Sequence, residues 1–62
     1  MFVLRRTDGA YAAPHGSVAS YTRSLQFARI FNTREAAEQD RCPDNERVVS
    51  VADCLHRQAY SV

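Results

Sequence analysis

The stretch SYTRSLQFARIFNTREAAE, residues 20–38, places two helix starts and an interruption within nineteen residues. That interruption constrains the fold more than any other feature. Thr22 is a credible N-cap, with Leu25, Ala28 and Phe31 recurring three apart on one side and Phe27 and Ile30 on an adjoining side. A single helix continued to residue 41 would put Asn32, Gln39 and small alanines along the Leu25 stripe, leaving it without large apolar groups after Phe31. Asn32 and Thr33 are better caps than helix interiors, because their short polar side chains compete for backbone hydrogen bonds. With Asn32 as the cap, Glu35 takes the third helical position, close to a capping box. With Thr33 as the cap, Glu35 still faces the positive end of the helix dipole. The pattern therefore predicts a helix from about 22, a turn at 32–33, and a second helix over about 33–41.

The remaining elements follow from turn and strand signals. FVLRR at 2–6 reads as a strand, with Phe2 and Leu4 on one face and Val3 and Arg5 on the other. Asp8-Gly9 is a hairpin signal, so Ala10–Ala13 is the return strand, stopped by Pro14, which cannot donate to a ladder. Val18–Tyr21 reads as a further short strand or an extended approach to the helix. Cys42-Pro43 ends the second helix, since the residue before proline avoids the helical region, and Pro43-Asp44-Asn45 reads as a turn. Arg47–Val51 is the clearest strand, and 52–60 allows a short terminal helix carrying Leu55 and Ala59. The expected architecture is α+β, ordered β-β-α-α-β, a single domain over 1–62 with an antiparallel sheet of about three strands. Its expected core is Phe2, Leu4, Tyr21, Leu25, Ala28, Phe31, Val49 and Val51, with Val48 competing with Val49 for the inner face.

Size and charge set the class. A chain of 62 residues buries only about 60% of its unfolded surface, yet the 45% hydrophobic fraction is that of a folded globular chain rather than a disordered one. No apolar run approaches the ~20 residues of a membrane span. The opening MFVLRR is too short for a signal peptide or anchor, so a soluble, cytoplasmic protein is expected. All eight basic residues are arginine; coding bias accounts for this, and it leaves every surface cation a planar fork suited to carboxylates and phosphates. The formal net charge is +1, with +4 in residues 1–34 and −3 in residues 35–62. Such asymmetry either neutralises across the fold or gives a bipolar surface that docks on partners.

The sequence offers little catalytic chemistry. Cys42, Cys54 and His56 have a C-x₁₁-C-x-H spacing, whereas structural zinc sites use close ligand pairs and four ligands in all. The expectation is two reduced, partly buried thiols with no metal and no cofactor. Cys54 and His56 diverge on a helix and lack an evident orienting acid on a strand, and so short a chain leaves little room for a water-excluding pocket. Gly9 and Gly16 form no phosphate loop. No enzyme is expected.

The order VLRRTDGAY…SYTRSLQFARIFNTREAAE…NERVVSV resembles short proteins encoded by bacteriophages and prophages. The shared pattern is a hairpin opening, Tyr-Thr before a helix with Leu and Ala three apart, Phe-x-Thr-x-Glu-x-Ala, and a final valine strand. It covers about residues 3–51. Some such proteins are anti-CRISPR inhibitors, so the resemblance implies a non-enzymatic module that blocks a host protein complex, a CRISPR effector among them, by stoichiometric binding. It carries over no functional residues, because each shared position has a packing or capping reason. The candidate contacts are therefore chosen for exposed charge and aromatic character: Arg5, Arg6, Tyr11, Arg23, Glu38, Asp44 and Glu46. The alternative is a small nucleic-acid binder using an Arg/Tyr sheet face, with Tyr21 and Arg29 joining the set. The sequence pI of about 7.8 lacks that class's strongly basic footprint.

Overall fold

The computed structural model describes the backbone of residues 1–60 and the side chains of residues 1–55. The fold is α+β, with four antiparallel strands in the order β3-β2-β1-β4. In chain order these are β1 (Phe2–Arg6), β2 (Tyr11–Ala12), β3 (Tyr21–Thr22), helix α1 (Arg34–Asp40), β4 (Glu46–Ser50) and helix α2 (Val51–Tyr60). The three-strand expectation is corrected to four, because the approach segment pairs Thr22 with Tyr11 and Tyr21 with Ala12.

The Asp-Gly signal forms the expected hairpin. Arg6 donates its backbone N–H to the Ala10 carbonyl at 2.7 Å and Gly9 donates to the Arg6 carbonyl at 2.9 Å. Gly9 has φ of 92°, the left-handed region that closes a three-residue hairpin loop without Cβ strain. Asp8 Oδ1 accepts the Ala10 N–H at 3.0 Å.

The helix expected from Thr22 does not form. Only a single 3₁₀ turn, Leu25–Phe27, occupies the segment, and Ala28 is already extended. Thr22 lies in β3, where its Oγ1 accepts from the Ser24 N–H. Long-range pairing overrides the local pattern. Arg29 donates to the Ala12 carbonyl, and Phe2 and Phe31 exchange both backbone hydrogen bonds at 2.8 Å, so residues 28–31 satisfy strand edges that a helix would leave open. The helix of the second start does form. Thr33 rather than Asn32 is its cap, with Oγ1 accepting from the Ala36 N–H, and Glu35 sits in the first turn. The terminal helix also forms and begins at Val51. Ser50 Oγ accepts the Asp53 N–H at 3.1 Å, so strand runs into helix without a loop.

The sheet is buried on both faces, which makes three layers. On one face Val3, Tyr11, Ala28 and Cys54 form a core, with Leu25, Val49 and Val51 packed against it. On the other, Leu4, Ala12 and Ala37 form a second core flanked by Phe2, Tyr21, Phe31 and Val48. All eight expected core residues belong to these two clusters, and the choice between Val48 and Val49 dissolves because each serves a different face. Sequence reading missed Val3, Tyr11 and Cys54, having assumed a single buried face for the opening strand. Among the described residues, no helix is long and apolar enough to cross a membrane.

Candidate functional site

Most of the arginines are committed to internal partners. Arg6 and Arg23 both pair with Asp8, and Arg29 pairs with Asp40 while its Nε and Nη2 donate to the Ala13 carbonyl at 3.0 and 2.7 Å. Arg29 is thereby a clamp between α1 and the β2–β3 connection. Arg41 donates to Glu38 Oε1 and to the Glu46 carbonyl, each at 2.7 Å. Arg34 lies over the Phe2 ring, 5.1 Å from its centroid. Asp8, the one acid of the +4 half, is thus paired within that half, and the excess is offset across the fold at Asp40 of α1.

Two tyrosines expected to offer aromatic surface are used internally. Tyr11 is 4% exposed, with Arg5 over its ring at 5.4 Å; as a candidate contact it is corrected to a core residue. Tyr21 is half-buried, carries Arg6 on its face at 4.3 Å, and donates its hydroxyl to Glu46 Oε2. Both phenols are held above the ordinary tyrosine value. Burial is the main cause for Tyr11, followed by the nearby Cys54 thiol, and the Glu46 hydrogen bond is the main cause for Tyr21. Asp8 is held well below the usual carboxylate range, first by its Arg6 hydrogen bond and then by the Ala10 N–H.

The other six candidate contacts fall in three places. Arg6 and Arg23 meet around Asp8, and Glu38 of α1 pairs with Arg41, the residue that ends the helix. Arg5, Asp44 and Glu46 converge on one groove of about 390 Å³, to which Thr7, Asn45, Arg41 and Arg47 also contribute. Two strands and the turn before β4 build it. Arg5 and Arg47 are directly opposed in the β1–β4 register, so both side chains leave the same face, and the Pro43–Asn45 turn supplies the rim. Glu46 is fixed by the Tyr21 hydroxyl and by the Cys42 N–H at 2.9 Å. Asn45 Oδ1 is buried and without a hydrogen-bond partner. Arg47 is the residue sequence reading missed. The signal for it was available: once β1 and β4 pair, the arginines of FVLRR and ERVVS fall at matching positions.

A larger groove of about 800 Å³ between the 3₁₀ turn and α2 is lined mainly by Leu25, Ile30, Val51 and Leu55, with Arg23 at its rim. It gathers no comparable polar constellation, although Phe27, Ile30 and Leu55 are 62%, 45% and 54% exposed nearby. Cys42 is exposed and Cys54 buried, and both are free thiols, so the expected pair of partly buried thiols is corrected to one of each. Among the described residues no three His, Cys, Asp or Glu side chains gather as a metal site; the His56 side chain lies outside those residues. Comparison with known proteins returns no matching family model, no matching curated relative and no matching solved structure.

Proposed function

We propose that this chain is a non-enzymatic protein-binding module, working as a phage or mobile-element inhibitor of the anti-CRISPR kind. It blocks a host protein complex, with a CRISPR effector as the concrete case, by stoichiometric binding in the bacterial cytoplasm. The phage context comes from the resemblance of residues 3–51. One observation carries the binding reading: Arg5 and Arg47 are opposed in the β1–β4 register and line one open groove, and among the described residues neither forms an ion pair, while the other described arginines with ion pairs serve the fold. A small rigid body of this kind inhibits by covering a channel or a subunit contact, which needs about 800 Å² per partner.

The nucleic-acid reading depends on tyrosines free to stack on bases. Tyr11 is buried and Tyr21 is covered by Arg6, which favours the protein partner. The test is a tagged pull-down from host lysate, with and without nuclease, alongside Arg47→Glu. The expected result is a defined complex at fixed stoichiometry that survives nuclease and is lost in the variant. Recovery of DNA or RNA alone, removed by salt, would reject the proposal.

A further inference from the structure

The β1–β4 groove holds a pair of like charges that, among the described residues, make no ion pair. Arg5 and Arg47 face each other across the ladder, an arrangement that destabilises a sheet when the two charges match. The chain has seven acids, all among the residues whose side chains are described. Asp8 is taken by Arg6 and Arg23, Asp40 by Arg29 and His15, and Glu38 by Arg41. Glu46 accepts from Tyr21 and from the Cys42 N–H. None of the seven forms an ion pair with Arg5 or Arg47. Folding has set two arginines opposite each other on one face of the ladder, lining one groove, with no carboxylate paired to either among the described residues. Sites that break a local rule without an internal compensation are where function is expected.

We infer that this groove binds a carboxylate carried by an acidic peptide segment, held between the Arg5 and Arg47 guanidinium groups. The inference rests on the protein-binding reading above and names the chemistry of the partner's contact. Arg5 is pre-positioned: the Tyr11 ring lies beneath it, and its Nε donates weakly to the Gly9 carbonyl at 3.4 Å. Arg47 is exposed at the rim. A carboxylate accepts two parallel N–H bonds from a guanidinium fork, the strong charge-assisted geometry.

The surroundings select a peptide over a phosphodiester chain. With Arg41 taken by Glu38, the groove's Arg5 and Arg47 are matched in number by Asp44 and Glu46, neither of which pairs with them. Two opposed guanidinium groups suit a single carboxylate, whereas Asp44 and Glu46 repel the successive charges of a nucleic-acid backbone.

The test is an NMR titration of the full ¹⁵N-labelled chain, following backbone amides and arginine Nε–H signals. The probes are an acetylated, amidated Gly-Glu-Glu-Gly peptide, its Gly-Gln-Gln-Gly counterpart and a short oligothymidylate. The glutamate peptide is expected to saturate, with a dissociation constant on the order of 1 mM. Its shifts should centre on Arg5, Thr7, Asn45 and Arg47. Arg47→Gln, at an exposed position, should weaken binding about tenfold while keeping native amide dispersion, and Arg34→Gln should leave it unchanged. Absence of saturation, equal binding of the glutamine peptide, shifts centred elsewhere, or tighter binding of the oligothymidylate would each overturn the inference. Recovery of a nuclease-resistant host complex together with a silent groove would remove this ligand assignment and leave the binding module standing. Peptide binding without any recovered complex would do the reverse.

Discussion

Single residues carry two or more duties here, and Tyr21 is the clearest case. Its ring packs against the Leu4, Ala12 and Ala37 cluster, its face takes Arg6, and its hydroxyl is donated to Glu46. A phenol whose pKa is raised on folding binds its proton more tightly in the native state. Its contribution is therefore complete below the ordinary value of 10.0 and is lost as pH rises through the elevated native value. Urea denaturation of Tyr21→Phe should show a shallower alkaline decline than the parent protein. A parallel decline in both would mean that this hydroxyl plays no part. Asp8 has the opposite sign: its depressed pKa stabilises above the usual value of 3.8, and that stabilisation is lost as pH falls further. Residue types alone could not distinguish Tyr11 from Tyr21. Both read as aromatic surface, and only the pairing of β2 between β1 and β3 buries one and leaves the other at the margin.

Among the elements, α1 is the one whose start and stop were legible, because capping chemistry is local. Thr33→Ala should cost about 1 kcal/mol, the usual worth of an N-cap, whereas Asn32→Ala should cost only a few tenths. Chemical denaturation of the two variants separates them, and equal losses would show that the cap is shared. Residues 22–31 were illegible for the complementary reason. Their three-residue periodicity is real, but Phe27 and Ile30 are solvent-exposed, and the backbone is held by Phe2 and Ala12, partners remote in sequence. Helix propensity is a weak prior beside such pairing. The start of α2 was legible in principle: Ser50 and Asp53 have the Ser-x-x-acid spacing that opens a helix, hidden by reading Val51 as strand. The candidate groove was half-legible. Arg5, Asp44 and Glu46 stand out as charged residues near turns, but the opposition of Arg5 to Arg47 exists only once the register is known.

At the scale of the whole molecule, the two buried clusters share one wall. Val3 and Leu4 are consecutive and both fully buried, yet they belong to opposite clusters. Neither half can loosen without exposing the strand that supports the other. The domain should therefore open as one cooperative unit rather than as separable foldons. Native-state hydrogen exchange should report a common opening free energy for the amides that pair β1 with β4 and for the interior amides of α1. Leu4→Ala should lower both together, by about 2–5 kcal/mol, although Leu4 touches only one cluster. Loss confined to α1, with Val3 and Val49 still protected, would reveal two independent units. If the chain does open as one, it has no partly folded state to offer a protease: a strand only five residues long makes resistance to degradation all-or-none.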